Sequence, residues 1–169
     1  MRAIVVYESH WGNTEAVARA IAQGIGPDAR ALTTSEATPD VVAEAELVVA
    51  GAPVMAFSLP SDAMVANTAK DPKAPVPADV SHPTLRAWLE GLPHVKPSSP
   101  VHRAASFETK LWWSPGGATG GIDARFRKAG FSTLARAEKF VVKGAYGPLR
   151  EGELERARAW GTELAAIRA

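Results

Sequence analysis

Residues 9–14 read Ser-His-Trp-Gly-Asn-Thr, between an apolar run at Ala3–Tyr7 and an amphipathic stretch over 14–25. The apolar run reads as a buried strand. The stretch after it reads as a helix, with Val17, Ala18, Ile21, Ala22 and Ile25 on one face. A strand that enters a helix directly aims the free N–H groups of the first turn outward, with the positive end of the helix dipole behind them. Ser9, Asn13 and Thr14 add side-chain donors, and Gly12 lets a ligand approach the backbone closely. The result is a small cup for an anion. It holds no Lys or Arg, which suits a phosphomonoester better than a triphosphate with its metal. The GxxxxGK[ST] and GxGxxG patterns are both missing here. Taken alone, Ser9, Asn13 and Thr14 would read as helix-capping residues. His10 either supplements the cup as a cationic imidazole or faces solvent. Trp11 is the anomalous residue, a bulky indole among donors.

Little else in the chain has the form of a reactive centre. With no cysteine, disulfide frameworks, thiolate metal sites and cysteine nucleophiles are excluded, and a reducing compartment is suited. The histidines His10, His82, His94 and His102 lack metal-ligand spacing, so no metal is expected. Ser9 and His10 do not make a nucleophile–base pair by adjacency, there is no GxSxG turn, and no catalytic residue is assigned. A formal net charge of +1 with no block of like charge indicates neither nucleic acid nor an anionic membrane. Arg125, Arg127 and Lys128 read as the solvated side of a helix. No segment has signal-peptide form or could span a bilayer, so the expected location is cytoplasmic.

Further strands are expected at Ala29–Thr33, Leu47–Ala50, Val101–Phe107 and Lys139–Val142, the first of these an edge. Further helices are expected over 39–45, 84–91, 119–129 and 151–168. In the last, Leu154, Ala157, Gly161, Leu164 and Ala165 form the apolar stripe, while Trp160 is left open among core, interface and neither. Alternation of this kind implies a parallel sheet with helices on both faces, and one domain over 1–169. Two segments break the rhythm, proline-rich Gly51–Pro83 and Trp- and Gly-rich Glu108–Gly121. Both emerge at the carboxyl edge of the sheet, as does the anion cup, and loops of this length usually carry function. The stretch PGGATGG (Pro115–Gly121) also has some likeness to a dinucleotide glycine motif, but too little chain follows it to build such a domain.

The segment SHWGNTEAVARAIA resembles the phosphate-binding loop of flavodoxins, whose Ser/Thr-x-Thr-Gly-x-Thr pattern wraps the phosphate of FMN. Ser9, Gly12, Asn13 and Thr14 match, while Trp11 stands where a threonine is usual. YESHWGNTEAVA, GAPVMAF and YGPLREGELERARAWG extend the resemblance over nearly the full length to short bacterial flavodoxin-domain proteins. It implies a three-layer, flavodoxin-like α/β fold with a five-stranded parallel sheet in the order 2-1-3-4-5 and FMN at the switch point. The implied cofactor-binding residues are Ser9, His10, Trp11, Gly12, Asn13 and Thr14 in the phosphate loop. The loops after strands three and four would add Pro53, Val54, Met55 and Phe57, then Lys110, Trp112, Trp113, Gly116 and Gly117. Met55 and Phe57 suit stacking on the flavin or closing their own loop, and one of Trp112 and Trp113 is expected at the ligand or an interface. The implied function is electron transfer through noncovalent FMN, to a redox partner protein or small-molecule acceptor. Two alternatives stand beside it: a flavin-dependent oxidoreductase on a quinone or porphyrinogen-like substrate, and an interaction module that has lost FMN. The near-neutral charge departs from the acidic electron carriers of the family.

Overall fold

The computed structural model describes residues 1–96 and 102–167. Val101, the expected start of the fourth strand, and Arg168, the expected end of the last helix, lie outside the described residues. The elements follow in the order β1 (Ala3–Tyr7), α1 (Asn13–Ile25), β2 (Ala29–Thr33), α2 (Pro39–Glu44), β3 (Leu47–Pro53) and α3 (Asp62–Thr68). They continue with α4 (Leu85–Glu90), β4 (Arg103–Leu111), α5 (Thr119–Lys128), β5 (Ser132–Thr133), β6 (Glu138–Val142) and α6 (Glu153–Ala166).

The strands form one parallel sheet in the order β2-β1-β3-β4-β5, the order implied above, with β6 also paired to β4. β5 lies beside Arg103–Ala104 and β6 beside Phe107–Leu111, so the two short strands share one edge of β4. Together they take the fifth place. β1 and β3 are apolar throughout because both faces are covered. Successive side chains alternate between faces. Ala3, Val5 and Tyr7 join Leu47, Val49 and Phe107 under α1 and α6. Ile4 and Val6 join Val48, Ala50 and Ala104 under α2, α4 and α5. β2 is only half-buried, as its place at the sheet edge requires.

Three expectations change. β3 and β4 run on to Pro53 and Leu111, beyond the expected ends at Ala50 and Phe107. The extension of β4 is the polar stretch Glu108-Thr109-Lys110, in which Glu108 and Thr109 are buried by the elements around the sheet's carboxyl edge. The segment Gly51–Pro83 is not wholly loop either. It contains α3, started by Ser61 Oγ accepting the Met64 N–H at 3.3 Å and anchored by buried Val65. In α6 the stripe is displaced: Leu154 is exposed, whereas Trp160 packs in the core with Ala157 and Leu164.

α1 and α6 cross in backbone contact at two glycines. A Cβ on Gly24 would overlap the Arg158 carbonyl, and one on Gly161 would overlap the Ile21 carbonyl. Neither neighbour is a flexible side-chain end, so the helices would have to separate. Gly161→Ala is therefore expected to destabilise the protein by about 1–3 kcal/mol despite its better helix propensity, as read by urea unfolding. An unchanged or increased midpoint would refute this contact.

Candidate functional site

The carboxyl ends of β1, β3, β4 and β6 open into a cavity of about 280 Å³ at the start of α1. Ser9, His10, Trp11, Asn13 and Thr14 line one side of it. Pro53, Val54 and Met55 contribute from the end of β3, and Lys110 from β4. Gly12, Phe57, Trp112, Trp113, Gly116 and Gly117 do not line it. Five polar residues outside the expected set do: Thr68, Asp71, Thr109, Ser114 and Tyr146. Tyr146 had a signal, since it opens the YGPL stretch, and Asp71 had none.

The loop leaves β1 with the Glu8 N–H donating to the Gly51 carbonyl at 3.1 Å, and turns at Gly12 with φ of 90°. That conformation favours glycine, and the Gly12 N–H returns to Ser9 Oγ at 3.1 Å. The first intrahelical donor of α1 is Ala16, bonded to the Gly12 carbonyl at 3.0 Å. The Asn13, Thr14 and Glu15 N–H groups precede it and find no acceptor within the helix. Thr14 Oγ1 lies 2.8 Å from Thr109 Oγ1, and both residues are buried. Two hydroxyls sharing one hydrogen bond leave one hydrogen to give. Neutral donors thus converge at the positive end of α1 beside a cavity, a set that fits a phosphate group.

Trp11 lines this cavity rather than filling it. Its indole Nε1–H donates to the Val76 carbonyl at 3.1 Å, and its ring meets Tyr146 edge-on at 4.8 Å. Residues 76–85 form a strap across the loop. The Asp79 N–H donates to the His10 carbonyl at 2.8 Å, and the Leu85 N–H donates to Glu8 Oε1 at 2.6 Å. His10 is not the solvent-facing histidine entertained from sequence. It is buried, with Nε2 3.0 Å from Glu8 Oε2.

The remaining expected residues serve the rim. Met55 and Ser58 exchange backbone hydrogen bonds at 3.0 Å each, around Ala56 and Phe57 at φ of 44° and 65°. Positive φ at non-glycine residues stores strain, and here it turns the Phe57 ring outward, 58% exposed. The Gly117 N–H donates to the Phe57 carbonyl at 3.1 Å, and Gly116 packs on the same group, where a Cβ would collide. The Gly117 amide is therefore already engaged. Lys110 Nζ donates to the Gly116 carbonyl at 2.6 Å, while Glu108 Oε2 accepts the Ala118 and Thr119 N–H groups at the start of α5. Trp112 and Trp113 stand clear of the fold, 71% and 60% exposed.

No protein-family profile and no curated protein matches the chain. Solved structures do. An archaeal flavodoxin is similar at 23% identity over 98% of this chain and 96% of its own, with a TM-score of 0.65. Oxidised flavodoxin 1 from Bacillus cereus aligns over the whole of both chains at 15% identity, with a TM-score of 0.68. The fold is that of the flavodoxins. The same flavodoxin-like fold also matches 35% of the rubredoxin oxygen:oxidoreductase of Desulfovibrio gigas, at 18% identity and a TM-score of 0.62. Among the described residues no helix is long and apolar enough to cross a membrane, and no cluster of His, Asp or Glu could hold a metal ion.

Tyr146 also secures the cavity wall electrostatically. Its hydroxyl donates to Asp71 Oδ2 at 2.7 Å. This bond, with the Lys73 N–H, holds the Asp71 carboxyl below the usual range and pushes the Tyr146 phenol up. A carboxyl lower in the folded state stabilises that state above its ordinary range and loses the contribution as pH falls through the lowered value. Tyr146→Phe is expected to move the Asp71 titration upward toward an ordinary aspartate, read by carbon NMR of the carboxyl group. An unmoved titration would show that the tie does not exist in solution.

Proposed function

We propose that this chain binds FMN noncovalently in the cavity at the start of α1 and transfers electrons through it. The carrying observation is the convergence of the unpartnered Asn13 and Thr14 amides with the buried Thr14–Thr109 hydroxyl pair at that cavity. The flavin would supply the redox chemistry, and the protein its position and electrostatic surroundings. On this reading Ser9, Asn13 and Thr14 receive the phosphate with neutral donors, around the turn that Gly12 makes. Pro53, Val54 and Met55 form the apolar wall. The flavodoxins among the similar structures support the same cofactor. The loss-of-cofactor alternative needs the indole of Trp11 inside the cup, whereas the indole is tied to Val76 and borders an open cavity.

The reading extends to one domain in a cytoplasmic setting, which a cysteine-free chain suits, and to a redox partner protein or small acceptor. The near-neutral net charge argues against a partner chosen by a strongly basic docking face. Turnover of a quinone or a porphyrinogen would move the reading from carrier to oxidoreductase.

The test is the visible spectrum of the purified protein, followed by titration with FMN under fluorescence detection. Bound flavin, or saturable quenching, is expected. Thr14→Ala removes a hydrogen bond to a charged group and should weaken FMN binding about tenfold or more. Gly12→Asp adds both a strained backbone and a negative charge at the loop, and should weaken it further. A colourless protein that leaves FMN fluorescence unquenched would overturn the proposal.

A further inference from the structure

The strap of residues 76–85 meets the loop at the His10–Trp11 peptide, where the Asp79 N–H donates to the His10 carbonyl at 2.8 Å. In a planar trans peptide the carbonyl of one residue and the N–H of the next point in opposite directions. The bond to Asp79 therefore fixes where the Trp11 N–H points, which is away from the strap. The strap lies across the loop from the cavity at the start of α1, since none of residues 76–85 lines that cavity. Asp79, Val80, His82, Pro83 and Thr84 instead line a separate hollow of about 250 Å³, which shares only Ser9 and His10 with it. Trp11 lines the first cavity alone, and its N–H has no acceptor among the described residues.

The same peptide is held on both sides. Before it, His10 Nε2 lies 3.0 Å from Glu8 Oε2, and both residues are buried. After it, the Trp11 Nε1–H donates to the Val76 carbonyl at 3.1 Å. The strap is in turn firm where it bears on the loop. Asp79 Oδ1 accepts the Ser81 N–H at 3.0 Å and the Ser81 hydroxyl at 2.6 Å. Thr34 Oγ1 donates to the Pro83 carbonyl at 2.7 Å, and the Leu85 N–H donates to Glu8 Oε1 at 2.6 Å. A His10–Trp11 peptide free of these ties could turn over and present its carbonyl to the cup in place of the N–H. A carbonyl there repels a phosphate oxygen, whereas an N–H to a charged acceptor makes one of the stronger hydrogen bonds in a protein.

We propose that residues 76–85 position the phosphate loop, Val76 and Asp79 acting through the His10–Trp11 peptide to present the Trp11 N–H to the phosphate of FMN. The inference rests on the FMN reading of the cavity and adds to it a donor and the segment that aims it. Val76 and Asp79 are positioning residues, since neither lines the cavity.

The experiment uses the full-length, isotope-labelled protein loaded with FMN, together with affinities for FMN and for riboflavin, which lacks the phosphate. The Trp11 amide is expected to show phosphorus–nitrogen coupling across its hydrogen bond. Asp79→Pro deletes the donating N–H. It should abolish that coupling and weaken FMN binding about tenfold, with riboflavin binding unchanged. A merely structural strap would weaken both flavins alike. If Asp79→Pro impairs folding, Trp11→Phe keeps an aromatic ring beside Tyr146 but loses the tie to Val76, and should weaken FMN by a larger factor than riboflavin. The proposal is overturned by an uncoupled Trp11 amide in the FMN-loaded protein, by undiminished FMN affinity in these variants, or by equal losses for the two flavins. Those results leave the cofactor reading standing, whereas a protein that binds neither flavin overturns both.

Discussion

The N–H groups that open α1 cannot be satisfied inside their own helix, and the fold holds them at the end of a strand buried on both faces. That constraint organises the carboxyl edge of the sheet. The chain must leave β1 without closing over these donors, which it does through Gly12 at positive φ and the short return to Ser9 Oγ. Thr109 must arrive opposite Thr14, which requires β4 to continue past its apolar part. The neighbouring loops then have an anion cup to border rather than a surface to cover.

The strap is the second organising feature. Residues 76–85 are hung on residues 8–11 by the Trp11 indole, the His10 carbonyl and the Glu8 carboxylate. Trp11 therefore has a structural use that a threonine could not supply, because only the indole reaches Val76 while also packing on Tyr146. The residue that departs from the flavodoxin loop pattern is the one that fastens the segment after β3 to the exit of β1.

Much of this was legible in the sequence because it rests on periodicity. The buried runs of β1 and β3 and the stripe of α1 follow from burial on two faces and on one. The turn at residues 9–14 was legible because its glycine and hydroxyl residues serve a local geometry. The rest depends on tertiary partners. Glu108, Thr109 and Lys110 read as loop because their polarity is matched by α5, by Thr14 and by the Gly116 carbonyl, all distant in the chain. Asp71 enters the site through a bond to Tyr146, seventy-five positions away, which no local pattern announces. α3 was hidden among prolines, since its single turn pair buries only Val65.

The strap also sets an order of events during folding. Its ties to the β1 exit close spans of 65 to 77 residues. Closing so long a span costs chain entropy that is recovered only once both ends are already in place. The β1–β3 pairing and the docking of α4 must therefore come before it. Residues 76–85 are thus held over the loop at 8–11 by ties whose entropy cost is met only where the sheet already fixes both ends.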